Sequence, residues 1–209
     1  MKICTVIVTR SKSCAVKTLH TILRLNIQCI QNNVQNEIVY VNDDPFEKAD
    51  VIQKCLSKCD RIFFIDFGVG VDEDSVKQIF GDHEGMGVLV FPGVKDGIDW
   101  GLFKHKVREG STEPVSQMGL NFDTEVGRST SKDIHVVTST EAKSWVMFSK
   151  NIMRNAKDKK GNLKLHAKMF EKFKEQGVKI YAFTAAKLTM SYPHECVSNI
   201  LNAAGVKAN

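Results

Sequence analysis

Five carboxylates and two glycines stand in "DRIFFIDFGVGVDEDSVKQIF", residues 60–80. Ile65 is the last strongly apolar residue of the run that opens this stretch, so Asp66 falls at the carboxyl end of a buried strand. Ligands of open parallel sheets sit beyond such ends. A carboxylate there can hold a cation or accept from a hydroxyl. Gly68 and Gly70 would let a phosphate or a metal approach the backbone closely. Asp72 follows the turn and precedes "EDSVKQIF". It is placed to cap a helix, with Glu73 and Asp74 complementing the helix dipole. The acidic triplet therefore reads as capping chemistry, and Asp66 as the functional carboxylate.

Other strand ends are polar as well. "ICTVIVT" ends in Thr9, Arg10, Ser11 and Lys12. Hydroxyls, cations and the free N–H groups of a following helix, capped by Ser11 or Ser13, suit a phosphate. "NEIVYVNDD" ends in Asn42, Asp43 and Asp44 before Pro45. These side chains either accept from a base or ribose, or form the turn. Glu141, in "TSTEAKSWVMF", stands at a strand start near the same crevice and reads either as a sugar contact or as a surface charge. Asp99 and Trp100 pair a carboxylate for hydroxyls with an aromatic face for C–H groups; packing of Trp100 in the core is the alternative. His20 reads as structural, and His83, His105 and His135 carry no assigned role.

The elements that must position these groups alternate. "ICTVIVT", "NEIVYVNDD", "RIFFIDFGV" and "GMGVLVFP" read as strands, rich in apolar and β-branched residues and separated by the helical patterns of residues 13–33, 46–59 and 73–80. Repeated strand–helix–strand units predict an α/β fold with an open, largely parallel (mixed) sheet flanked by helices and a Rossmann-like first half. Residues 93–133 are rich in glycine and polar clusters without clear periodicity, which predicts a long loop able to act as a mobile wall. Order returns with "IHVVTSTEAKSWVMFSKNIM". A helix over "LKLHAKMFEKFKEQ" closed by Gly177, a late strand "VKIYAFTA" and a terminal helix in "SYPHECVSNILNAAG" follow. The 209 residues suit one domain, 1–209, with a nucleotide-binding half to about residue 92 and an acceptor-side half over 93–209.

Composition narrows the function classes. No apolar run is long enough to span a bilayer. A net charge of +5 suits an anionic small ligand or an acidic partner, and no nucleic-acid-binding motif is present. Neither the P-loop nor the dinucleotide fingerprint occurs. The six cysteines include only one close pair, Cys55 and Cys59, with no second pair to complete a zinc set. Buried thiols imply a reducing compartment, the cytoplasm.

"FFIDFGVGVDEDSVKQI", together with "TVIVTRSK", "YVNDD" and "GVKIYAFTAAKLTMSYPHE", resembles the GT-A glycosyltransferases, the nucleotide-diphospho-sugar transferases. A looser resemblance is to the glycosyltransferase domains of large algal (chlorella) viruses, which would place the chain in host cytoplasm. The resemblance implies sugar transfer from a nucleotide-diphospho-sugar, UDP-linked, to a glycan or glycoprotein acceptor. It also implies Mn²⁺ or Mg²⁺ bridging the diphosphate, held by Asp66 and His194, and donor contacts from residues 9–12, Asn42, Asp43, Asp66, Phe67 and Gly68. His166 stands near the place of the family's acidic pair, and with Asp66 and Glu141 it makes up the catalytic set that the resemblance implies. The chain departs from the family where Gly68 replaces the second aspartate of D-x-D and where no acidic pair precedes the late strand. That second departure favours a retaining over an inverting reaction. Two other readings are a sugar nucleotidyltransferase, although "TRSKSCAV" lacks that class's glycines, and a catalytically weak nucleotide-sugar-binding module.

Overall fold

The computed structural model describes residues 1–95, 97–157 and 161–191. In chain order the elements are β1 (Lys2–Thr9), α1 (Val16–Gln31), β2 (Gln35–Asn42), α2 (Pro45–Leu56), β3 (Arg61–Ile65), β4 (Val69–Val71), α3 (Glu73–Lys77) and β5 (Val88–Val90). They continue with α4 (Trp100–Arg108), β6 (Thr124–Ser131), β7 (Ile134–Thr140), β8 (Ser144–Phe148), α5 (Ser149–Asn155), α6 (Met169–Glu175), β9 (Ile180–Phe183) and β10 (Leu188–Met190).

Eight strands form one sheet in the order β2-β1-β3-β8-β5-β9-β7-β6, and β4 pairs with β10 in a small second sheet. Strands β2, β1, β3, β5, β9 and β6 run one way, while β8 and β7 run the other. The α/β class is as expected, and the sheet is mixed. Its strands come from both halves of the chain.

The continuous apolar run of β1 is explained by burial on both faces. Cys4, Val6 and Val8 pack with residues of α2, α5 and α6, such as Ile52, Ile152 and Phe173. Ile3 and Ile7 pack with residues of α1, α3 and β4, such as Leu25, Val76 and Val69. The sheet is thus covered on both sides by helices. Two buried threonines of α1 seat β4: Thr18 Oγ1 donates to Val69 O (2.8 Å) and Thr21 Oγ1 accepts from Val71 N (2.8 Å).

Residues 93–133 differ from the expected irregular segment. They contain α4 and β6, and β6 pairs antiparallel with β7. Helix α4 has no buried residue and β6 is almost wholly exposed, so neither carries the apolar periodicity that sequence reading detects. The expected terminal helix lies outside the described residues. Among the described residues, no helix is long and apolar enough to cross a membrane.

Candidate functional site

Asp66 leaves the end of β3, as expected. Its N–H donates to Lys143 O (2.8 Å), where β8 is about to begin, and its Oδ1 accepts from Phe67 N (2.8 Å). Lys48 of α2 lies beside it, with Nζ 3.8 Å from Asp66 Oδ1. Local sequence fixes that lysine. Asp44 caps α2 by accepting from Phe46 N (3.0 Å) and Glu47 N (2.7 Å), and Pro45 occupies the first turn. Lys48 also bonds Asp43, which in turn accepts from Arg10 Nε (2.7 Å). The Lys48 ammonium, followed by the Arg10 guanidinium, holds the Asp43 carboxyl below the usual carboxylate range against the opposing effect of burial. Arg10 also lies over the Phe67 ring, 5.2 Å from its centroid. Arg10, Asp43, Lys48 and Asp66 form one chain of alternating charge across three strand ends.

Beside this chain a cavity of about 330 Å³ opens between α2, the β7–β8 turn and the segment leading into α6. Its floor is aromatic. Phe64 and Trp145 stack with centroids 4.8 Å apart and planes 5° from parallel, and Phe170 meets Trp145 edge-on at 5.8 Å. Asp66, Glu141, His166 and Lys48 all line it. Three residues named from the sequence as catalytic thus share one cavity. Glu141 also sits 3.7 Å from Lys95 Nζ.

His166 is not on a helix. The expected helix over 163–176 starts only at Met169, because the amide of Gln53 on α2 captures the preceding backbone. Gln53 Nε2 donates to Leu163 O (2.6 Å), and Gln53 Oε1 accepts from Leu165 N (2.8 Å). Side-chain competition of this kind holds a segment extended. Gly177 does close α6, with φ +74°.

The proposed phosphate corner at residues 9–12 is built differently. Ser11 and Lys12 adopt φ of 49° and 59°, and Arg10 and Ser13 exchange backbone hydrogen bonds across a tight turn. Helix α1 starts only at Val16, and its cap, Ala15, offers no side chain. Neither Ser11 nor Ser13 caps it, and residues 9–12 do not abut a helix N-terminus. The Thr9 hydroxyl bonds Val41 O (3.2 Å). At the end of β2, Asn42 Nδ2 donates to the Glu47 carboxylate (3.0 Å). Asn42 and Asp43 are therefore engaged within the chain.

Gly68 and Gly70 do not leave open backbone. A Cβ at Gly68 would lie 3.4 Å from Ser191 Cβ, and one at Gly70 would lie 3.2 Å from Lys17 Cβ. Ser191, just past β10, and Lys17 of α1 fill the space expected for a ligand. Gly68 does need glycine's freedom, at φ +77°.

Asp99 and Trp100 do not form a free sugar-binding pair. Asp99 caps α4 through Leu102 N (2.9 Å), and its other oxygen accepts from Asn121 Nδ2 (2.9 Å). Those bonds, Leu102's first, hold the Asp99 carboxyl low. Trp100 packs edge-on to Phe103 (5.5 Å).

Asp72 caps α3, accepting from Ser75 N (3.3 Å) and from the Ser75 hydroxyl. Asparagine caps about as well as aspartate. Asp72→Asn is therefore expected to cost less than about 1 kcal/mol in urea denaturation and to leave ligand binding unchanged.

A divalent ion needs several hard donors around one point. Among the described residues, no group of three His, Cys, Asp or Glu converges that could hold one. Asp66 has the Lys48 ammonium beside it, Gly68 brings no carboxylate, and His194 lies outside the described residues. The described donor set does not fit Mn²⁺ or Mg²⁺.

Lys48, Gln53, Trp145 and Asp123 were not singled out from the sequence. The cap signal "DDPFEK" could have pointed to Lys48, one turn inside a helix that starts at a strand end. Asp123 is 5% exposed, with its Oδ2 lacking a hydrogen-bond partner. Burial pushes its carboxyl up, opposed by bonds from Thr124 and Gly93. The native state then binds this proton more tightly than the unfolded chain. The resulting contribution to stability is lost as pH rises from the ordinary aspartate value through the raised one. Asp123→Asn should flatten that part of the stability profile, read as the wild-type minus variant difference in urea midpoint between pH 4 and 7.

No protein-family model matches the chain, and no curated protein matches it. Solved structures are similar at low identity. A mutant Drosophila β1,4-galactosyltransferase 7 in complex with manganese, UDP-Gal and xylobiose has TM-score 0.48 at 9% identity, over 93% of this chain and 72% of that one. GalNAc-T7 with UDP, GalNAc and Mn²⁺ has TM-score 0.48 at 10% identity, over 91% of this chain and 44% of that one. The inositol-1-phosphate CTP transferase from T. maritima has TM-score 0.47 at 9% identity, over 97% and 95%. At these values the likeness carries nothing about chemistry.

Proposed function

We propose that the chain is a glycosyltransferase moving a sugar from a UDP-linked donor to a glycan or glycoprotein hydroxyl. The observation that supports this most is one cavity at the carboxyl edge of the sheet. It joins an aromatic floor to Asp66, Glu141, His166 and Lys48. Sugar C–H faces pack on aromatic rings, while hydroxyls need fixed polar partners at the rim.

In this reading Lys48 and Arg10 exchange their bonds to Asp43 for the diphosphate, whose charge grows as the glycosidic bond breaks. Fixed cations at that point lower the barrier. Asp66 accepts from a donor-sugar hydroxyl, and Glu141 and His166 orient the acceptor. With no carboxylate pair before α6, the departing phosphate oxygen takes the acceptor's proton as the new C–O bond forms on the same face. The product keeps the donor's anomeric configuration. A divalent ion, if bound, would supply further charge to the diphosphate; the described residues supply Lys48 and Arg10.

The test is UDP release from a panel of UDP-sugars, with and without simple glycans and with Mn²⁺ or EDTA, the product anomer being read by proton NMR. Release of UDP with transfer supports the reading. Pyrophosphate formed from a nucleoside triphosphate and a sugar phosphate would instead show a nucleotidyltransferase, and saturable binding without turnover a binding module.

A further inference from the structure

A second cavity of about 620 Å³ lies at the same sheet edge, walled by Gly93, Lys106, Glu113, Phe122 and Leu188. Between it and the first cavity stands Asp123, at the head of β6. Its backbone N donates to Gly93 O (2.9 Å), and its Oδ1 accepts from Gly93 N (3.0 Å) and from Thr124 Oγ1 (2.8 Å). Its carbonyl accepts from Glu141 N (2.8 Å). Two residues after Glu141, Lys143 O takes the N–H of Asp66 (2.8 Å). The same turn is tied a second time, since the Thr124 hydroxyl meets that of Thr140 at 2.8 Å and Thr140 Oγ1 accepts from Ala142 N (3.0 Å).

We infer that Asp123 is the positioning residue that holds Glu141 and Asp66 on one cavity in register with Gly93 on the other. This rests on the glycosyl-transfer reading and adds to it a residue that touches neither substrate. A buried side chain with one oxygen unpartnered among the described residues is costly to keep. That cost accompanies a crosslink among three separate chain segments. Misplacing reacting groups by about 1 Å lowers a rate by roughly 10²-fold. Loss of the clamp should therefore fall on the chemical step.

The experiment compares Asp123→Ala, Asp123→Asn and Thr124→Val with wild type in two readouts: UDP-sugar kinetics and amide hydrogen exchange by NMR. Asp123→Ala should lower kcat about 10- to 100-fold with donor KM within about twofold. It should speed exchange at the Glu141, Ala142 and Asp66 amides while α1 and β1 keep their protection. Asp123→Asn, which keeps an acceptor for Gly93 N, should recover most of both effects. Thr124→Val should show the weaker, partial loss. If alanine leaves kcat and those amides unchanged, or if kcat, KM and protection fall together across the sheet, the inference is overturned. Where alanine does not fold, Asp123→Asn with near-normal values and Thr124→Val with a partial kcat loss support it; Thr124→Val indistinguishable from wild type overturns it. A wild type that releases no UDP sinks the glycosyltransferase reading, and amide exchange alone then judges Asp123.

Discussion

Alanine at Asp66 is expected to reduce UDP release by roughly 10²-fold or more while the protein stays folded. Asp66 is the only carboxylate placed both at the end of β3 and on the wall of the aromatic-floored cavity among the described residues. Its structural duty is small. It accepts one backbone bond, from Phe67 N, and Lys48 keeps Asp43 when it is removed. Losing such a bond costs about 1 kcal/mol, which lowers the melting temperature of a chain this size by about 2–4 °C. Asp66→Asn separates charge from shape. It keeps an acceptor for Phe67 N, so turnover as low as that of alanine would show that the negative charge matters. Circular dichroism and UDP-release kinetics on the same samples check the pair. A variant that turns over normally would remove Asp66 from the chemistry.

The largest stability effect is expected at Trp145. It is 1% exposed, stacked on Phe64 and met edge-on by Phe170, on β8 between β3 and β5. Truncating a buried aromatic of this kind costs about 3–5 kcal/mol, because the void is only partly refilled. Trp145→Ala should therefore lower the melting temperature by roughly 10 °C. Trp145→Phe keeps a ring against Phe64 and should lose about half as much. The floor of the cavity is also altered, so donor binding should weaken in both variants at temperatures where both are folded. A cost under about 1 kcal/mol in urea denaturation would contradict this packing.

What was legible in the sequence was local. β1 shows itself as an unbroken apolar run because both its faces are covered, and Asp72 as a cap because capping depends on neighbours within one turn. Asp66 was legible because a buried strand ends at Ile65. The rest depends on partners far along the chain. An apolar strand reads the same in either direction, so the reversal of β8 left no trace in "SWVMF". Gln53 reaches about 110 positions ahead to unwind the segment before α6, overriding its helical spacing. Lys48 gained its role from Asp66 across a strand boundary. Asp123 gained its role from Gly93 and from the turn after β7. The turn at Ser11–Lys12 broke an expectation that rested on residue type alone, since neither residue is a usual occupant of positive φ.

In the proposed reaction, Lys48 and its neighbours at this cavity bind the diphosphate of a nucleotide sugar. Lys48→Ala removes the cation that lies between Asp43 and Asp66 without touching the aromatic floor. Calorimetric titration of UDP-glucose, UDP-galactose and their N-acetylated counterparts into wild type and Lys48→Ala measures that claim directly. The expected result is saturable one-to-one binding of at least one donor to wild type, weakened about 10-fold or more in the variant, as for a lost charge-assisted bond of about 1.5–3 kcal/mol. Equal affinity in the two proteins, or no saturable binding of any of these donors to wild type, would contradict it.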